Sequence, residues 1–149
     1  MPPACCSPTA PDSAVSVYLK DGKLKYVYNW VGLQEQIVES TEPITTGHQV
    51  LSAAFEREGD TMPAEGTLTL HIGTTKVGEG RIKTQPGKFS IAGEGLNIGK
   101  DSGEPITDDY PGTSPWPLAG GTIERAVIDV SGEPFVDLVR EAAMAFARD

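Results

Sequence analysis

Apolar and polar residues alternate with a period of two along much of this chain, and the alternation begins at Ala14. The run from Ala14 to Lys20, "AVSVYLK", leads into Asp21-Gly22, a strong signal for a two-residue hairpin turn. "KLKYVYNWVG" follows. In it Leu24, Tyr26, Tyr28 and Trp30 share one parity, and Lys23, Lys25, Val27 and Asn29 share the other. Successive side chains of a strand point to opposite faces, so a strand here turns its aromatic residues to one side. A third strand, "QEQIVES", is expected after the break at Gly32.

The same period returns beyond a loop over Pro43 to Gly47. "HQVLSAAFERE" sets Leu51, Ala53 and Phe55 on one face, and after a turn from Gly59 to Gly66, "TLTLHIG" sets Leu68, Leu70 and Ile72 against Thr67, Thr69 and His71. "TKVGEGRI" reads as the return strand of a hairpin, with Gly78 and Gly80 at bulge or bend positions. "KFSIAGEGLNIGK" supplies one or two short strands. The longest irregular stretch, Lys100 to Gly121, holds four prolines. "GTIERAVIDVS" is expected as a last strand, with Ile123, Ala126 or Val127, Ile128 and Val130 as core candidates. The period then changes. Phe135, Leu138, Val139, Ala142 and Phe146 fall at helical spacing behind Pro134, which predicts an amphipathic helix over 134–148.

Short strands separated by regular turn signals predict an all-β fold, an antiparallel β-sandwich or jelly roll, with one C-terminal helix. Residues 1–13 hold Pro2, Pro3, Pro8 and Pro11 and read as an arm preceding a single domain over 14–149. A chain of 149 residues can bury roughly two-thirds of its unfolded surface, so it needs no disulfide or metal staple. The formal charge of −9 argues against nucleic acid as a partner, since phosphate binding needs clustered Lys and Arg. It argues equally against an anionic membrane surface. Absence of an apolar leader and of a membrane-length apolar run gives a cytoplasmic location as the expectation.

Several motifs occur in a characteristic order. "SVYLKDGKLKYVYNWVGLQEQIVES", "TTGHQVLSAAFE", "GTLTLHIGTTKVGEGRI", "LNIGKDSGEPITDDYPG" and "GTIERAVIDV" together resemble the C-terminal domain of large bacterial arylsulfatases. More distantly they resemble laminin-G-like and concanavalin-A-like jelly rolls. The resemblance covers about Ala14 to Asp149. It implies a concanavalin-like sandwich that rides behind a sulfatase catalytic domain, with that domain or a copy of itself as partner. It implies no catalytic residue, because function resides in sites rather than folds. In the family a catalytic domain precedes such a module, and residues 1–13 are too few to supply one, so a module separate from that domain is the expectation.

The candidate chemistry is sparse. Cys6-Ser7-Pro8-Thr9 spells the start of the motif whose cysteine becomes the sulfatase formylglycine, but the arginine expected at its fifth position is Ala10. A proline-rich arm accounts for it. Glu56 and Glu58 share one strand face about 7 Å apart, the arrangement of a glycosidase carboxylate pair, or else of a solvated strand end. Asp101, Asp108 and Asp109 carry oxygens suited to calcium, yet their spacing fits ordinary turns equally well, so no cofactor is assigned. Tyr28 and Trp30, joined by Tyr110 and Trp116 of the irregular stretch, are the binding candidates, since such rings stack on sugars where they face solvent and fill the core where they do not. His48 and His71 stand on separate strands without a nucleophile beside them. The expectation is a non-catalytic module acting by packing or self-assembly, with a lectin-like module and a small glycoside hydrolase as alternatives.

Overall fold

A computed structural model describes residues 14–61, 63–84, 96–103 and 105–130. The expected proline-rich arm and C-terminal helix both lie outside these residues. Within them the protein is all-β with antiparallel pairing throughout.

Strands β1 (Ala14–Lys20), β2 (Lys23–Trp30) and β3 (Gln34–Glu39) form a first three-stranded sheet in chain order. Asp21 and Gly22 both take positive φ, 53° and 74°, the conformation that lets a two-residue turn match the twist of the strands it joins. Val31 and Gly32 do the same between β2 and β3, at 48° and 69°. Glycine accepts that geometry freely, whereas a β-branched valine is strained in it. Asn29 steadies this turn by accepting the Gly32 N–H at 2.9 Å.

Strands β4 (Leu51–Glu58), β5 (Glu65–Ile72) and β6 (Thr75–Lys83) form the second sheet, again in chain order. The β5–β6 register slips between Leu70 and His71, which leaves Val77 as the extra residue of a bulge beside Gly78. A short pair, β7 (Lys100–Asp101) with β8 (Trp116–Pro117), ties the ends of the long irregular stretch together.

The two larger sheets meet along β3 and β6. Gln36 donates to the Lys83 carbonyl and accepts its N–H, both at 2.8 Å, while the Thr41 N–H donates to the Val77 carbonyl at 2.6 Å. Glycine makes the approach close. A Cβ on Gly80 would sit 2.5 Å from Val38 Cγ2, and one on Gly78 would sit 2.8 Å from the Glu39 carbonyl oxygen. The two faces then share one core of Leu24, Tyr26, Tyr28, Val38, Leu68, Leu70, Val77 and Ile82. Trp30, Ile44, Leu51, Ala53 and Ile72 pack at its margin.

One expectation fails outright. Residues 121–130 form no strand, and Ile123, Val127, Ile128 and Val130 are all exposed. Its apolar residues are divided between both parities, and among the described residues no strand pairs with this segment. The wider order is that of two hairpin meanders, each built from sequential neighbours.

Candidate functional site

The largest gathering of ionisable groups lies on the outer face of the first sheet. Antiparallel pairing sets Tyr18 opposite Lys25 and Lys20 opposite Lys23, so these side chains of β1 and β2 share that face. Across it runs the irregular stretch from 105 to 117. Asn29 donates to the Ile106 carbonyl at 2.6 Å, and the buried Thr107 donates to Glu35 of β3 at 2.6 Å. The stretch thus begins over β2 and β3 and reaches β1 at Asp109.

Asp109 arrives where three donors converge. Lys20 reaches its Oδ1 at 2.8 Å and also its backbone carbonyl, Lys25 reaches Oδ2 at 2.9 Å, and the Tyr18 hydroxyl donates to Oδ2 at 2.8 Å. Lys25 also pairs with Glu39 Oε2 at 3.0 Å, and Lys23 with Glu39 Oε1 at 2.6 Å. Beside the cluster the rings of Tyr18, Tyr110 and Trp116 form an edge-to-face series, with centroids 5.1 and 5.4 Å apart. Tyr110 donates to Asp101 at 2.5 Å, and the Trp116 indole donates to the Pro111 carbonyl at 3.2 Å.

The electrostatics are those of a clamp. The bonds from Lys20, Lys25 and Tyr18 hold the Asp109 carboxyl far below the usual range, against the opposing effect of its burial. Lys25 is pushed up by its bonds to Asp109 and Glu39. Burial, reinforced by donation to Asp109, drives the Tyr18 phenol far up, and burial with donation to Asp101 does the same to Tyr110. Each group is stabilised in the form it already holds at neutral pH. General acid–base catalysis needs the opposite, a group poised near the working pH.

The four aromatic candidates do not converge. Tyr28 belongs to the core and Trp30 lies at its edge, on the inner face of the sheet. Tyr110 and Trp116 stand half-buried in the stretch that covers the outer face. Tyr26, beside Tyr28 on the inner face, is pushed up to about 12 by burial. Glu58 at the exposed end of β4 is bonded to Arg81, which lowers its pKa and favours the carboxylate, the form unable to protonate a leaving group. His48 contacts Glu124 at 3.2 Å and not His71. Asp109 spends both carboxylate oxygens on the bonds above and Asp101 one of its two, and among the described residues no group of three His, Cys, Asp or Glu side chains is placed to hold a metal ion. A shallow depression of about 370 Å³ beside Ile98, Leu118 and Ile123 has, among the described residues, no ionisable side chain in its wall.

Sequence reasoning did not find the clamp, because Asp109 lies 84 to 91 residues from its partners. One faint signal existed. Val27 interrupts the polar parity of β2, and an apolar residue there is buried only if something covers that face; Val27 is fully buried.

No family model, curated protein or solved structure matches this chain. The arylsulfatase resemblance therefore rests on its motif series alone.

Proposed function

We propose that the protein is a non-catalytic β-rich module that works by packing, against another domain or against a copy of itself. The observation that carries this reading is the inner apolar face. It does not stop at the buried core but continues across β1 to Val15, Val17 and Leu19, all exposed. A contiguous apolar surface of this kind marks an interaction site on a folded protein. The protonation states on the outer face agree with it, since every shifted group there is locked away from the range that chemistry at neutral pH requires.

The narrower form of the reading makes the neighbouring domain a sulfatase catalytic domain and the fold a concanavalin-like jelly roll. The ordered motif series supports it. The test is direct. Purified protein incubated with 4-nitrophenyl sulfate and with a panel of nitrophenyl glycosides should release no nitrophenol above the buffer rate. Release abolished by Cys6→Ala or by Glu58→Gln would overturn the reading.

A further inference from the structure

We infer that β1 is a dimerisation strand, to which a second copy of this chain adds its own β1 in antiparallel pairing about a two-fold axis through Val17. This rests on the reading of the protein as an interaction module and names its partner. β1 lies at the end of its sheet, and among the described residues only β2 pairs with it. Its inner-face residues Val15, Val17 and Leu19 are 49%, 51% and 40% exposed. Their cross-strand partners Tyr28, Tyr26 and Leu24 all belong to the core. Among the described residues the apolar surface is thus cut off at an open edge.

That edge lacks the usual protection. Folded proteins guard free strand edges with lysine, proline or inward-pointing charge. From Ala14 to Leu19 there is none, and the one charge of the strand, Lys20, is held by Asp109. β4, at the end of the other sheet, is different. It finishes in the exposed series Glu56, Arg57, Glu58, which guards it.

The β1 sequence is also complementary to itself. An antiparallel copy centred on Val17 sets Val15 opposite Leu19 and Val17 opposite its own copy on the inner face. On the outer face Ser16 meets Tyr18, and at the ends Ala14 meets Lys20. Apolar residues face apolar residues, and no like charges meet within the strand pair. The contact is isologous and closes on itself, giving a dimer rather than a fibre. It would join two three-stranded sheets into one continuous sheet with an unbroken apolar stripe.

Sedimentation velocity on the full chain, over about 1 to 100 µM, should show a concentration-dependent dimer. Val17→Lys places two ammonium groups face to face at the axis and should weaken the dimer by about 100-fold or more. Because Val17 is half exposed, this variant should still melt cooperatively. In a Cys5→Ser, Cys6→Ser background, Val17→Cys should form a covalent dimer under oxidised glutathione. Val15→Cys alone should not, whereas Val15→Cys mixed with Leu19→Cys should. A monomer at every concentration, a dimer indifferent to Val17→Lys, or equal cross-linking through Val15→Cys alone would overturn the inference. A monomer would leave the non-catalytic reading standing, while turnover in the sulfate or glycoside assay would end that reading without touching the oligomer measurement.

Discussion

Replacing Asp109 by asparagine keeps the shape of the side chain and removes the charge on which the outer face of the first sheet converges. Asp109 accepts charge-assisted bonds from Lys20 and Lys25 and a third bond from Tyr18, with its side chain 21% exposed and that of Lys25 11% exposed. Hydrogen bonds to charged partners are worth about 1.5–3 kcal/mol each. Asparagine retains one acceptor oxygen, and Lys25 retains Glu39. The expected loss is therefore about 2–4 kcal/mol, at or somewhat under the roughly 3–5 kcal/mol of leaving a buried charge unpaired. For a chain of this length that lowers the melting midpoint by roughly 5–15 °C.

The pH dependence gives the sharper check. The folded Asp109 carboxyl lies far below its value in the unfolded chain, about 3.9, so its stabilisation is fully present above that value. It is lost as pH falls through the unfolded value and on toward the folded one. Urea titrations of wild type and Asp109→Asn should thus differ by a constant amount from pH 7 to about 5, then converge below about pH 4. Glu39 is present in both chains, so its own titration largely cancels in the difference. A loss under about 0.5 kcal/mol, or a difference that stays constant down to pH 2, would refute the assignment of Asp109 as the centre of the clamp.

Two further outcomes concern the backbone. Gly80→Ala should cost about 1–3 kcal/mol in urea denaturation, because its Cβ meets Val38 across the β3–β6 seam; adding Val38→Ala should then cost less than its effect in the wild-type background, and simple additivity would count against the seam. Val31→Gly should raise stability by about 0.5–1 kcal/mol by releasing a β-branched residue from φ of 48°, and a fall instead would show that Val31 packing outweighs the strain.

The inner half of the fold could be read from the chain directly. Leu24, Tyr26 and Tyr28 on one parity of β2, and Leu68 and Leu70 on one parity of β5, are core residues as their alternation indicates. Asp21-Gly22 marks the first turn because few other dipeptides accept two positive φ angles. The outer half could not be read. Nothing local to Lys20 or Lys25 tells that a carboxylate more than eighty residues away will neutralise them, and Asp109 itself looks like an ordinary turn residue before Tyr110-Pro111. The segment 121–130 misled in the opposite sense. Its apolar residues keep no single parity, since Ile123 and Val127 fall on one face and Ile128 and Val130 on the other, and among the described residues it pairs with no strand.

The long separation within the clamp has a consequence for how the chain is made. When the hairpin of β1 and β2 leaves the ribosome, Asp109, the residue that will bridge Lys20 and Lys25, has not yet been polymerised. At ordinary rates of about 5–20 residues per second, Asp109 follows Lys25 by roughly 4–17 s. During that interval both ammonium groups stay hydrated and help keep the nascent hairpin in solution. Glu39 follows Lys25 early, but the segment that covers Lys25 arrives only with Asp109, so its desolvation is deferred until both counter-charges exist.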